Sequence, residues 1–161
     1  KFEHHPVLPT VEKEGALITV LVGDFVGQTS PVTVYTPMLG ADIEAQQDID
    51  IKLDLNPAFE YGVLALEGEA QVNGHALTQD NMLVLEVENH VLHLRAKQGT
   101  RFLLIGGEPF ESEILLWWNF VARTQEEMAQ ARQDWIDGHE RFGTIPAYQG
   151  PSLIAPPLPE T

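Results

Sequence analysis

Ile49-Asp-Ile-Lys-Leu-Asp-Leu55 (IDIKLDL) is the stretch that decides the fold class. Ile49, Ile51, Leu53 and Leu55 fall on one face of an extended chain, and Asp50, Lys52 and Asp54 on the other. A strict period of two marks a strand with one buried face. On either side the texture is the same: short apolar runs, closely punctuated. Upstream, Ala16–Val22 is rich in β-branched residues and ends at Gly23, and Val32–Thr36 alternates between Pro31 and Pro37. Downstream come Tyr61–Leu66, then Glu69–Val72 and His75–Leu77 flanking Asn73-Gly74, the preferred dipeptide of a two-residue hairpin turn. Met82–Val87, Val91–Ala96 and Arg101–Ile105 complete the set, the last stopped by Gly106-Gly107. Short strands at this spacing, with no helical pattern between them, point to an antiparallel sandwich or barrel. A parallel βαβ fold would need crossover helices, for which there is no room.

The texture changes after residue 123. Thr124-Gln-Glu-Glu127 has the form of a capping box, in which the Thr hydroxyl and the Glu carboxylate take each other's backbone N–H groups. Met128, Ala131, Trp135 and Ile136 give one apolar stripe, and Gly138 stands where a left-handed cap belongs. One helix over roughly 125–137 follows. Beyond it, a tail over 139–161 holds five prolines between Ile145 and Thr161 and reads as extended, disordered or laid along a surface. Residues 1–15, with Pro6, Pro9 and Gly15, read as an extended lead-in, and Lys1 in place of Met reads as a cut edge.

The chain has 161 residues, 9 Lys+Arg against 24 Asp+Glu and no Cys, for a formal charge of −15. One domain of this size buries roughly 70% of its unfolded surface and needs no staple to fold. Zero Cys excludes disulfides, thiolate metal sites and Cys nucleophiles. The acidic balance argues against direct contact with a nucleic-acid backbone, because few cations are present to displace its counterions. The longest uncharged apolar run, Ile114–Trp118, is too short to span a bilayer, and no secretory leader is visible, so the expected location is the cytoplasm.

The common catalytic signatures (GxGxxG, GxxxxGK[ST], GxSxG, HExxH) are absent. A β-sandwich can hold a metal by pointing alternate residues of one strand inward, with a carboxylate a few residues later and a further His from a distant strand. Asp54, Asn56 and Glu60 occupy such a spacing, and His90 is the candidate distant ligand, grouped by parity with Leu92, Leu94 and Ala96 while His93 faces outward. Against this stands a plainer reading: Asp54 belongs to the polar face of IDIKLDL, and Asn56-Pro57 is a turn. The most unusual segment is Ile114–Val121, with adjacent Trp117 and Trp118 followed by Phe120; the third Trp, Trp135, lies on the helix. In an extended run Trp117 and Trp118 point to opposite faces, one into the core and one to a partner. Trp117, Trp118, Phe120 and Trp135 are therefore the candidate interface residues.

The run Gly106-Gly107-Glu108-Pro109-Phe110-Glu111, then Trp117-Trp118-Asn119-Phe120-Val121-Ala122-Arg123, resembles the carboxy-terminal half of bacterial pirin-like proteins. Ala131-Arg132-Gln-Asp134-Trp135, Arg141-Phe142-Gly143, Phe59-Glu60-Tyr61 and Leu66-Glu67-Gly68 match as well, so the resemblance covers essentially the whole chain. It implies one cupin of a bicupin: a double-stranded antiparallel β-sandwich or jelly roll over 16–123, the helix over 124–138, and the Pro-rich tail. In that family the amino-terminal cupin carries the metal, usually iron, on three His and a Glu; some members are quercetin 2,3-dioxygenases and others transcriptional co-regulators. Here Asp54 and Asn56 stand where the H-x-H pair would be and only Glu60 remains, so no metal ligand carries over. The resemblance thus implies a domain without its own catalytic metal, supporting a companion amino-terminal cupin that holds iron or another divalent ion, or else a homo-oligomer. The alternatives are a quercetinase-like metal enzyme or ligand binder using the barrel interior, and an acidic protein–protein module.

Overall fold

A computed structural model describes residues 3–145 and 147–159. Lys1, and with it the reading of a cut edge, lies outside the described residues, as do Phe2, Pro146, Glu160 and Thr161. The chain forms two compact units, residues 1–109 and 110–161.

The first unit contains twelve strands, named in chain order: β1 (Thr10–Lys13), β2 (Ala16–Val22), β3 (Asp24–Phe25), β4 (Gln28–Thr29), β5 (Met38–Ala45), β6 (Ile49–Asp54), β7 (Glu60–Glu67), β8 (Ala70–Val72), β9 (His75–Leu77), β10 (Met82–Leu85), β11 (Val91–Ala96) and β12 (Arg101–Gly107). A six-stranded sheet runs β1-β2-β5-β12-β7-β10, and a four-stranded sheet runs β6-β11-β8-β9. Every pairing is antiparallel. The result is an all-β sandwich, not a closed barrel, with β3 and β4 as a small separate hairpin.

Alternation builds the core. On β6, Ile49, Ile51 and Leu53 are buried while Asp50, Lys52 and Asp54 are exposed, as IDIKLDL requires. Their faces join Leu92 and Leu94 of β11 in one cluster with Ile18, Ile43, Val63, Phe102 and Leu104 of the six-stranded sheet. Each such side chain contributes about 1.5–3 kcal/mol on burial, which far exceeds what any single surface contact supplies. The Asn73-Gly74 hairpin forms as its residues demand, with both at positive φ (49° and 83°).

Three expectations change. Val32–Thr36 is irregular, and the strand lies one proline later, in β5. Gly40 and Ala41 hide that strand's periodicity, yet it needs them: a Cβ at Gly40 would sit 2.8 Å from Val22 Cγ1, beside the register shift between Val20 and Val22. Gly106 and Gly107 do not stop β12 but extend it, pairing with Leu39 and Met38 on one side and Tyr61 and Glu60 on the other. A Cβ at Gly106 would run into the Tyr61 ring. Part of the lead-in, Thr10–Lys13, is the edge strand β1.

In the second unit β13 (Leu115–Trp117) and β14 (Phe120–Ala122) form a hairpin, followed by α1 (Gln125–Ile136). Thr124 caps the helix, its Oγ1 accepting from Glu127 N–H at 3.2 Å. The reciprocal half of the capping box goes one residue further back: Glu127 accepts from Arg123 N–H at 3.0 Å and from its guanidinium at 2.6 Å. At the other end Gly138 N–H donates to Trp135 O and His139 N–H to Asp134 O, a Schellman arrangement with Gly138 at φ +67°. Of the expected stripe, Met128 and Ala131 are buried, Trp135 is half-buried and Ile136 is exposed, because the buried residues outside the helix in their cluster, Phe120, Ala122 and Ala155, are too few to cover it. No helix among the described residues is long and apolar enough to cross a membrane.

Candidate functional site

Three places in the molecule combine exposure with chemistry. The first is a cavity of about 410 Å³ in the first unit, framed by the β3–β4 hairpin, the segment before and into β5, and the turn from β6 to β7. Gly23 (φ +76°) opens the hairpin where a Cβ would strike the carbonyl of Met38, and its turn holds Val26 and Gly27 at φ +44° and +78°. A β-branched residue there is strained by about 1–3 kcal/mol. The turn from β6 to β7 is tied down locally. Asn56 Oδ1 accepts from Ala58 N–H at 3.0 Å, and Asn56 O accepts from Phe59 N–H at 3.1 Å. The Tyr61 hydroxyl accepts from Asn56 N–H at 2.9 Å and donates to Asn56 O at 3.2 Å. Tyr61 is 2% exposed, and burial pushes its phenol above its ordinary value.

This geometry places the metal candidates. Asp54 and Asn56 both line the cavity, but Asn56 spends its side-chain oxygen and both backbone groups on the turn. Glu60 opens β7 on the exposed face, opposite Gly107, and the inward position beside it belongs to Tyr61. His90 is exposed rather than turned toward the core, because it precedes β11 in the connection; its carbonyl, not its ring, is engaged, accepting from Leu55 N–H at 2.9 Å. Among the described residues no three His, Cys, Asp or Glu side chains converge as a metal-ligand set. Asp54, Glu60 and His90 are thus not gathered into one ligand set.

The second place is the outer face of the four-stranded sheet. Asp50 lies between His93 Nε2 (2.5 Å) and Arg95 Nε (2.9 Å), and Lys97 Nζ meets Asp48 at 2.6 Å. The His93 hydrogen bond, then Arg95, hold the Asp50 carboxyl below its ordinary range. These pairs are solvated, and each adds little to stability.

The third is the outer face of the six-stranded sheet. In register across three strands lie Met82, Leu64 and Leu103, and beside them Val84, Gly62 and Ile105. Met82, Val84 and Ile105 are 51%, 55% and 45% exposed. Gly62 keeps the row flat: a Cβ there would sit 2.8 Å from Met82 Sδ and 3.3 Å from Ile105 Cγ1. Alternation alone predicts polar residues on this face, as Asp42, Glu44 and Arg101 supply on β5 and the start of β12, so the apolar row over β10, β7 and β12 is a local departure that the strand sequences contain.

The expected interface aromatics gather within the second unit. The chain is not extended through residue 118: Trp117 ends β13 and Trp118 enters the turn at φ +52°, so both pack on the cluster of Phe120, Ala122, Met128, Ala131 and Ala155. The Trp118 ring meets Phe120 at 5.2 Å and Trp135 at 5.5 Å, and Trp135 meets Phe142 at 5.2 Å, all edge to face. Trp117 Nε1 is buried with no hydrogen-bond partner among the described residues. The outward residues of the hairpin are Leu116 and Val121, directly paired and 74% and 64% exposed.

The family model for the pirin C-terminal cupin domain matches residues 40–143. The chain is 41% identical over 158 residues to a Pseudomonas aeruginosa protein that carries a provisional quercetin 2,3-dioxygenase name, covering 98% of this chain and 50% of that protein. A Caulobacter vibrioides pirin-like protein is 28% identical over 162 residues, covering 99% and 54%. The crystal structure of a quercetin 2,3-dioxygenase from Acinetobacter baumannii matches with a TM-score of 0.90 at 55% identity, covering 100% of this chain and 54% of that one. The chain thus spans about half the length of the relatives it matches.

Proposed function

Because this chain belongs to the pirin C-terminal cupin domain family, we propose that it is the supporting member of a pair of cupins, without catalytic metal of its own, packed on a metal-bearing companion cupin. The observation that carries this reading is the apolar row of Met82, Val84 and Ile105 on a face where a solvated antiparallel sheet alternates to polar residues. Relatives of twice the length are consistent with a companion of similar size. A partner cupin removes this row from water and leaves the charged face of the other sheet solvated. In the second unit the aromatic cluster stiffens the hairpin that presents Leu116 and Val121, so Trp117, Trp118, Phe120 and Trp135 support a contact rather than make it.

The test mixes the purified chain with the amino-terminal half of the Acinetobacter baumannii relative and measures assembly by light scattering after gel filtration. A one-to-one complex is expected. Met82→Asp with Ile105→Asp lowers affinity by at least roughly tenfold, the cost of desolvating charge in an apolar contact. Assembly unaffected by the pair overturns the assignment of this face.

The dioxygenase names of the relatives favour a second reading, a quercetinase-like enzyme acting within this chain. Quercetin consumption by the isolated chain with added ferrous iron, abolished by Glu60→Gln, is the result that establishes it. Our reading expects no turnover.

A further inference from the structure

Away from both sheet faces, the first unit holds the cavity between the β3–β4 hairpin and the turn from β6 to β7. Its volume, about 410 Å³, falls in the range of small-molecule sites. Its floor is apolar and rigid: Phe25, Leu39 and Tyr61 are 7%, 4% and 2% exposed, with Phe59 tilted against Tyr61 at 6.0 Å between ring centres. Its rim is acidic. Asp24 and Asp54 both line it, and among the described residues that do so none is Lys, Arg or His.

The two carboxylates differ in an informative way. Asp24 accepts from the Thr29 hydroxyl, which fixes it across the β3–β4 hairpin. Asp54 has neither a hydrogen bond nor an ion pair to its side chain among the described residues. Other aspartates on and beside the strands do: Asp42 pairs with Arg101, Asp48 with Lys97, and Asp50 with His93 and Arg95. Asp54 is thus a carboxylate at the mouth of an aromatic-floored cavity that the fold does not neutralise. An anion entering there meets two negative charges and no counter-charge. A neutral apolar ligand gains only the floor. A cation with an aromatic or aliphatic body gains both, with its ammonium between the carboxylates and its body on the Phe25 and Phe59 rings.

We propose that this cavity is a binding site for a small organic cation of the arylalkylammonium class. The site is independent of the cupin pairing above, because it lies at the strand ends rather than on the sheet face, and either reading can fail without the other.

The experiment titrates the chain with 2-phenylethylammonium, following the backbone amides of Asn56, Ala58 and Phe59 by two-dimensional NMR, beside 2-phenylethanol and phenylacetate as the neutral and anionic matches. A saturable shift with Kd of roughly 1 mM is expected for so small a cation, with the neutral match several-fold weaker and the anion weaker still. Asp54→Asn lowers affinity about two- to fivefold, as removing one solvated charge partner does, whereas Asp48→Asn, on the outer sheet face, leaves it unchanged. Asp54 is exposed on a strand end, so the variant folds, and its unshifted core amides verify this. No saturation below ~20 mM overturns the proposal. So does equal binding of the neutral match, or affinity indifferent to Asp54→Asn.

Discussion

The two units of this chain are stabilised in different ways. Residues 1–109 rely on strand alternation: Ile, Val and Leu side chains from two sheets interdigitate in one cluster, and beside the ladder amides the buried polar groups are few, such as the Ser30, Tyr61 and Thr100 hydroxyls. Residues 110–161 have a cluster of only five buried residues, three of them Ala, and compensate with aromatic rings and side chain to main chain hydrogen bonds. Trp135 Nε1 donates to Leu153 O at 2.7 Å, and Arg132 donates to Pro156 O at 2.7 Å and to Ala155 O at 3.3 Å, so the proline tail is laid along the helix. Ala155 is 1% exposed as a result. A sandwich of the first kind tolerates the loss of any one polar contact. A unit of the second kind depends on them, because small units bury too little apolar surface to hold by packing alone.

The sequence offers an optical means of separating the two. All three Trp lie in the second unit, whereas most strand residues lie in the first. Tryptophan fluorescence therefore reports the second unit and far-ultraviolet circular dichroism chiefly the first. The largest effect is expected for Phe102→Ala, which empties a 0% exposed position in the central strand β12 and costs about 3–5 kcal/mol. In urea its dichroism transition moves to lower denaturant. If the fluorescence transition moves with it by the same amount, the units unfold as one and the comparison breaks. Gly106→Ala comes next, at about 1–3 kcal/mol, because the new methyl must displace the Tyr61 ring from β7. It sharpens the picture of the first unit: the Asn56 and Phe59 amides shift with it, since Tyr61 holds their turn.

In the second unit Trp135→Phe keeps a ring on the cluster but deletes the bond to Leu153 O. The expected loss is about 1 kcal/mol, because the freed carbonyl is solvent-accessible and rehydrates. The local consequence is larger than the global one. Amide exchange and proteolysis accelerate in the tail around Leu153 while the dichroism transition stays in place. A tail that keeps its protection shows that Arg132 alone holds it.

Legibility followed the same division. Wherever one residue type repeats at one period, the chain could be read directly: IDIKLDL as β6, Asn73-Gly74 as a hairpin, Thr124 and Gly138 as helix ends. Reading failed where tertiary contact outweighs local pattern. Gly40 and Gly106 look like breaks and are strand residues, kept small by Val22 and Tyr61. Trp118 looks extended and is a turn residue held at φ +52° by the rings around it. For the site, the spacing of Asp54, Asn56 and Glu60 was visible but their destinations were not. Parity assigns Glu60 and Tyr61 to opposite faces, and only the turn before them decides which one enters. The cavity draws its wall from separate segments, and the apolar outer face becomes evident only when β10, β7 and β12 are set in register.

Acid distinguishes the units most gently. In the second, the Arg123 guanidinium holds the Glu127 carboxyl below its ordinary 4.5, hydrogen bonds within the first turn do the same for Glu126, and the Gln130 amide and Arg141 hold Asp134 below 3.8. In the first unit, Lys97 and His93 lower Asp48 and Asp50 on the outer sheet face. A depressed folded-state value means that the charged form favours the fold. The contribution is complete above the unfolded values of 3.8 and 4.5 and is lost as pH falls through the lower folded values. All five shifts have the same sign, but their consequences differ. Asp50 lies on β6 and Asp48 directly before it, both beside residues already held by the core, whereas Glu126, Glu127 and Asp134 secure both ends of a helix with little buried beneath it. Lowering the pH from about 6 to about 3 should therefore reduce the urea midpoint seen by tryptophan fluorescence more than that seen by dichroism, and ~0.5 M salt should shrink the difference. Equal displacement of both midpoints would mean that the helix-end charges matter no more than those on the sheet, and that the aromatic rings suffice to hold the second unit.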